Sequence, residues 1–230
     1  MIPLKDDNPI DRTPVVTYAL VAANVAAWLL WQWPMGVQES VLRGGAIPYE
    51  IYTFSDVELR DVVRPPFTIF TSMFLHGGWM HIASNMLFLW IFGNNVEDAL
   101  GRARFVAFYL ASGVAAALAQ MVVMILTGEI YTPMVGASGA IAGVLAAYLV
   151  LFPHARVLTL VIVVFFPLRT VLPAFLLIGF WFATQVFSLL FGSGQSGVAV
   201  MAHVAGFVAG FVLVRVMGRR PAWRARRVAW

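Results

Sequence analysis

Residues 133–152 read P-M-V-G-A-S-G-A-I-A-G-V-L-A-A-Y-L-V-L-F, and everything else in the chain is arranged around them. The stretch carries no charge, and after Ser138 its one polar side chain is the Tyr148 hydroxyl. Ser138 stands between Gly136 and Gly139, where a loop should turn into an apolar helix. Gly136, Ala137, Gly139, Ala140, Ala142 and Gly143 leave that helix almost without bulk for two turns. In lipid, packing rather than hydrophobicity drives helix association, so such a surface invites a neighbour to approach backbone to backbone. A hydroxyl there needs a partner, and the sequence offers His203.

Working outward, the composition fixes the solvent. Of 230 residues, 61% are hydrophobic and 11% charged, and the mean hydropathy is +0.84. Soluble domains carry about 25% charged residues, so the chain is read as an integral membrane protein. A span needs about 20 mostly apolar residues. Six candidates stand out: 14–33, 79–92 with its flanks, 104–126, 135–152, 171–191 and 198–217. The expected architecture is an all-α, six-helix bundle over 14–217, between a polar, loosely ordered lead (1–13) and a basic tail (218–230).

Placing both termini inside puts Lys5, Arg12, Arg102, Arg104, Arg156, Arg169, Arg215, Arg219, Arg220, Arg224, Arg226 and Arg227 on the inner side. Only Arg43, Arg60 and Arg64 remain outside. That asymmetry obeys the positive-inside rule. It also explains the net charge of +4 as topology and attraction to anionic lipid rather than nucleic-acid binding. The first apolar run is longer than a signal-peptide core and is read as a retained span. The absence of Cys excludes disulfides, thiolate metal sites and a cysteine nucleophile.

Between the spans, 34–75 forms a long outer loop whose Pro65-Pro66 excludes a regular helix through its middle. The run V-L-T-L-V-I-V-V-F-F-P after His154 is too short to span; it reads as an extension of the fourth helix, an interfacial strand or an interfacial helix. The link G-S-G-Q-S-G at 192–197 reads as flexible.

Strong polar groups inside the spans are few: Asn24, His81, Asn85, Gln120, Ser138, Gln185 and His203. Asn24, Gln120 and Gln185 read as interhelical hydrogen-bonding groups. His81 and Asn85 are spaced i, i+4 and share one helix face, at the depth where Ser138 opens its helix. His203 is followed by Gly206 and Gly210, and Ser138 by Gly139 and Gly143; two glycine-ridged helices can bring serine and imidazole within hydrogen-bond reach. Two imidazoles without a nearby Asp, Glu or Cys are a poor ligand set, so no metal is expected. His76 reads as structural.

The G-x-S-G at 136–139, the H-x-x-x-N at 81–85 and the A-H-x-x-G-x-x-x-G at 202–210 together resemble the rhomboid intramembrane serine proteases, as do their order and F-G-N-N-V-E-D-A-L-G at 92–101. The resemblance covers about 14–214. It implies a serine endopeptidase that hydrolyses peptide bonds in or near the transmembrane segments of other membrane proteins. Ser138 would be the nucleophile and His203 the base. His81 and Asn85, with the Ser138 N–H, would form the oxyanion hole. Gly136 would let substrate approach, and Glu97 would anchor the loops. No cofactor and no nucleic-acid partner is implied; the partners are transmembrane substrates and the lipid bilayer.

Serine chemistry agrees with this set, because a hydroxyl is a weak nucleophile until a base takes its proton. With no acidic residue in a span, the site reads as a Ser–His dyad. The chain departs from the family in two places. Ala142 stands where many members stack an aromatic ring on the base, and Phe67-Thr68 where some carry a Trp-Arg pair. The competing readings are an inactive relative that binds or escorts membrane helices, and an unrelated transporter. The bare six-helix core suggests a bacterial inner membrane with both termini cytoplasmic and the site opening to the periplasmic side.

Overall fold

The computed structural model describes residues 1–55, 63–192 and 199–217. In chain order the main elements are β1 (Ile2–Asp6), α1 (Val15–Met35), α2 (Val37–Gly44), α3 (Pro48–Thr53), α4 (79–100), α5 (Arg102–Thr127), α6 (Ser138–Leu151), β2 (Arg156–Val163), β3 (Phe166–Pro173), α7 (Ala174–Phe191) and α8 (Val200–Val216). Short turns at Pro65–Phe67, Thr68–Thr71 and Ser72–Phe74 lie before α4. The basic tail (218–230), most of the 192–197 link and loop residues 56–62 lie outside the described residues.

Among the described residues, α1, α5 and α7 are long and apolar enough to cross a membrane. Helices α6 and α8 are apolar but shorter, at 14 and 17 residues. At 1.5 Å per residue, α6 is about 21 Å long, less than the roughly 30 Å hydrocarbon core. It can be short because it does not meet lipid: every residue from Gly139 to Tyr148 is buried. A helix that is apolar on all sides belongs inside.

Helices α5 and α8 flank α6, and small residues set the spacing. A Cβ on Gly139 would lie 2.5 Å from the Ala116 Cβ of α5, and one on Gly143 would lie 2.6 Å from the Ser112 Oγ. Gly206 and Gly210 of α8 press on the backbone of Gly139 and Gly143. The ridge read from the sequence is therefore an interface used on both sides.

The polar lead and the β-branched run depart from the all-α expectation. They form one antiparallel sheet in the order β1-β2-β3, with Ile2 opposite Leu160, Asp6 opposite Val157, and Arg156 opposite Pro173. Val, Ile and Thr favour the pleated surface, and a hairpin needs no membrane length. The lead is ordered rather than loose because its polar groups have partners in the bundle. Tyr148 donates its O–H to Asp6 Oδ2 at 2.7 Å and accepts from Asn8 Nδ2 at 2.6 Å. Arg156 N–H donates to Asp7 Oδ1 at 2.8 Å. The hairpin tip, Val164 to Phe166, is exposed.

Glu97 has a definite job. Pro14 provides no side-chain cap for α1, and the first N–H groups of a helix have no internal acceptor. From α4, Glu97 accepts the N–H groups of Val16 and Thr17 at 2.9 and 2.7 Å and the Thr17 hydroxyl at 2.8 Å. A carboxylate at a helix N-terminus also opposes the positive end of the dipole. At the far end of α1, Gln32 clamps the outer loop: its amide donates to the His76 carbonyl at 3.0 Å and accepts the His76 N–H at 2.8 Å.

Candidate active site

Ser138 begins α6, directly after a loop held from two directions. Gly136 donates its N–H to the Ser72 carbonyl at 2.8 Å, and Met134 pairs with Ala46 as an isolated bridge. Gly136 has φ = 129°, a conformation glycine adopts without steric cost. Space is short there too, since a Cβ would lie 2.9 Å from the His81 ring. The loop therefore requires glycine twice over, and it delivers Ser138 with its N–H at the positive end of the helix.

Across the small-residue interface, α8 presents His203. Its Nε2 lies 2.7 Å from Ser138 Oγ. Near its start, α8 is fixed by Gln120 of α5, whose Oε1 accepts the Ala202 N–H at 3.2 Å. Gln120 is thus an interhelical tie, as its sequence context suggests. Asn24 is not: its amide donates to Leu20 one turn back in its own helix.

His81 and Asn85 come from α4. The Gly77 N–H donates to His81 Nδ1 at 3.2 Å, which makes Nδ1 the acceptor and leaves Nε2 as the N–H of the neutral ring. The same Nε2 is one of the atoms that a Cβ on Gly136 would touch, so this donor faces the serine loop. Asn85 uses one amide hydrogen on the His81 carbonyl at 3.0 Å; a primary amide has a second to give. The His76 ring stands edge-on to His81, centroids 5.0 Å apart, and burial, helped by His81, lowers its pKa to about 3. It is a neutral neighbour packed behind His81.

Gly77, His81, Asn85, Ser138, Trp181 and His203 line one cavity of about 740 Å³. A hydroxyl hydrogen-bonded to an imidazole nitrogen, beside aimed N–H donors, is an arrangement suited to acyl transfer. Among the described residues no cluster of three or more His, Asp or Glu is placed to hold a metal ion.

Residues 64–220 match the family described as Rhomboid domain. The chain belongs to the rhomboid family. It is similar to the mitochondrial presenilin-associated rhomboid-like protein of Bos taurus, 33% identical over 164 residues, which are 71% of this chain and 39% of that protein. It is also similar to the mitochondrial rhomboid protein 1 of Saccharomyces cerevisiae (34% over 150 residues; 64% of this chain, 39% of the relative). With rhomboid protease GluP of Bacillus subtilis it shares 27% over 207 residues, 89% of this chain and 35% of the relative. The match thus spans about two fifths of the length of the first two.

The first two relatives overturn the bacterial inner-membrane assignment, together with the cytoplasmic and periplasmic sides named for it. The first two are named as mitochondrial and point to a mitochondrial membrane instead. The physical reason for the error is plain. Hydropathy reports that a bilayer core of about 30 Å is crossed, and it does not say whose bilayer.

Two residues of this rhomboid site lie beyond the dyad read from sequence. The departure at Ala142 leaves His203 without a ring from α6, and Trp181 of α7 packs there instead, its ring centroid 5.7 Å from that of His203 at 43°. One turn further along α7, Gln185 Oε1 lies 2.7 Å from His203 Nδ1. The interhelical role read for Gln185 is correct, but its partner is the imidazole. A sequence signal existed: Trp181 and Gln185 are spaced i, i+4 in an otherwise greasy helix and therefore share a face.

Proposed function

We propose that this rhomboid is an intramembrane serine endopeptidase acting on transmembrane proteins, with α4, α6 and α8 completing six spans. The observation that carries the reading is the 2.7 Å contact between Ser138 Oγ and His203 Nε2 inside a cavity that also receives His81 and Asn85.

In this reading the Ser138 O–H passes its proton to His203 Nε2 as Oγ bonds to the scissile carbonyl carbon. The carbonyl oxygen takes the negative charge and accepts from the Ser138 N–H, His81 Nε2–H and the free Asn85 N–H. As the C–N bond breaks, the imidazolium returns its proton to the leaving amine, and an acyl ester remains on Ser138. Water, deprotonated by His203, then releases the acid and restores the hydroxyl. The substrate chain must be locally unwound where it is cut, because a helical peptide bond is shielded by its own turns.

The test is labelling of the purified chain with a fluorophosphonate. Ser138 should be the one hydroxyl that reacts, with labelling abolished in Ser138→Ala and reduced in His203→Ala while both variants stay folded. The rate should rise with pH, since a protonated imidazole cannot accept a proton. Folded wild-type protein that neither labels at Ser138 nor cleaves a membrane-spanning substrate would instead be a rhomboid that binds helices without cutting them.

A further inference from the structure

The Gln185–His203 contact carries more than an interhelical tie. Resting on the reading of Ser138 and His203 as nucleophile and base, we propose that Gln185 is the positioning residue of the base: it locks His203 in the tautomer whose Nε2 can accept the serine proton.

The argument follows a chain of hydrogen bonds in which each donor is forced by the one before. The Trp181 carbonyl can only accept, and it receives the Thr184 hydroxyl proton at 2.6 Å. With that proton used, Thr184 Oγ1 has only lone pairs to offer Gln185, whose Nε2 lies 3.2 Å away. The Trp181 carbonyl, 3.5 Å from the same nitrogen, asks for the same orientation. The amide is therefore turned with Nε2 toward Thr184 and Oε1 toward His203.

Oε1 has no proton to give, so at 2.7 Å His203 Nδ1 must carry one. A neutral imidazole has a single N–H, so Nε2 is bare and takes the Ser138 hydroxyl proton across its own 2.7 Å contact. Thr184 thus decides, through Gln185, which nitrogen of His203 is basic. When His203 accepts the serine proton, its Nδ1–H is already directed at the amide oxygen, whose dipole then faces a cation. The role is the one an acidic residue fills in a triad, here performed by a neutral group whose burial in an apolar helix costs less than that of a carboxylate.

Location adds a consequence. Gln185 belongs to α7, in which only Ala174, Leu177 and Ile178, near its start, are buried. The base takes its orientation from a helix that is thinly packed at the level of the site, so displacing α7 releases the imidazole.

The test uses the 230-residue chain in bilayers, with fluorophosphonate labelling at Ser138 as the rate and ¹⁵N NMR of the His203 ring as the tautomer readout. In wild type, Nδ1 should be protonated and Nε2 bare above the imidazole pKa; the opposite tautomer overturns the proposal. Gln185→Leu should lower the labelling rate about tenfold to a hundredfold, part of the 10²–10⁴ that a positioned base supplies, and should mix the tautomers. Gln185→Glu should recover much of the loss and move the acid limb of the pH profile upward, because a carboxylate stabilises the imidazolium. A purely structural role predicts equal losses in both variants with an unshifted profile, and that result overturns the proposal, as does wild-type behaviour in Gln185→Leu. Should Gln185→Leu not fold, the wild-type tautomer and the Glu variant still decide. Failure of wild type to label defeats the protease reading alone, since the ring tautomer is measured independently.

Discussion

Gly206 rests on the carbonyl oxygen of Gly139 with no room between them for a side-chain carbon. This contact sets the distance between α6 and α8, and hence between Ser138 and His203. A Cβ at Gly206 must push the helices apart. Gly206→Ala should therefore destabilise the fold by about 1–3 kcal/mol, the usual cost of overpacking, and reduce fluorophosphonate labelling at Ser138 more than the stability loss alone explains. Gly179→Ala is the matched control. Nothing lies within 4 Å of a Cβ there, so it should leave labelling unchanged and raise helix stability slightly. Thermal unfolding and labelling rates on the two variants check the pair.

His81 and Asn85 offer N–H groups where charge would develop on a scissile carbonyl. Donors of that kind act mainly in the transition state, and removing one costs about 10²–10³ in kcat. His81→Ala and Asn85→Ala should show that loss with KM little changed. If kcat holds and only KM rises, the two residues belong to the scaffold.

The parts of the site that could be read in the sequence were those written in spacing. Gly139/Gly143 and Gly206/Gly210 recur at four residues, His81 and Asn85 share a face at four, and Ser138 follows a glycine that a tight loop requires. The orientation of His203 was not readable, because the Gln185 contact joins helices whose relative rotation no local pattern encodes. The lead's part in the sheet was hidden for another reason. Asp6 and Asn8 look like solvated lead residues until Tyr148, far along the chain, is seen to bond both.

The aromatics of α7 divide into two sets that composition alone could not separate. Phe182 stacks on Phe207 of α8, centroids 4.1 Å apart, whereas Phe180 and Phe187 are 59% and 64% exposed. If lateral access past α7 limits turnover, loosening the stacked pair should speed cleavage of a membrane-spanning substrate. Phe182→Ala should then be faster than wild type, Phe180→Ala equal to it, and Trp181→Ala slower because its ring packs on His203. Initial rates in bilayers separate these outcomes, and identical rates for the Phe182 and Phe180 variants would remove α7 displacement from the rate-limiting step.

At the opposite end of α6, Asp6 gives the docking of β1 a pH dependence whose sign can be worked out. Burial, reinforced by the neighbouring Asp7 charge and only partly offset by the Tyr148 and Asn8 hydrogen bonds, raises its pKa from 3.8 to about 6. The docked strand therefore holds a proton that the undocked strand has released between those values. Stability falls with pH wherever the native state binds more protons. The Asp6 contribution is complete below its undocked pKa and is lost as pH rises through about 6. Hydrogen exchange over residues 2–6 should accordingly show the strand better protected at pH 5 than at pH 7, after correction for intrinsic exchange rates. Asp6→Asn keeps a similar shape, cannot ionise, and should flatten the difference. Equal pH dependence in wild type and Asp6→Asn would assign the effect to other groups.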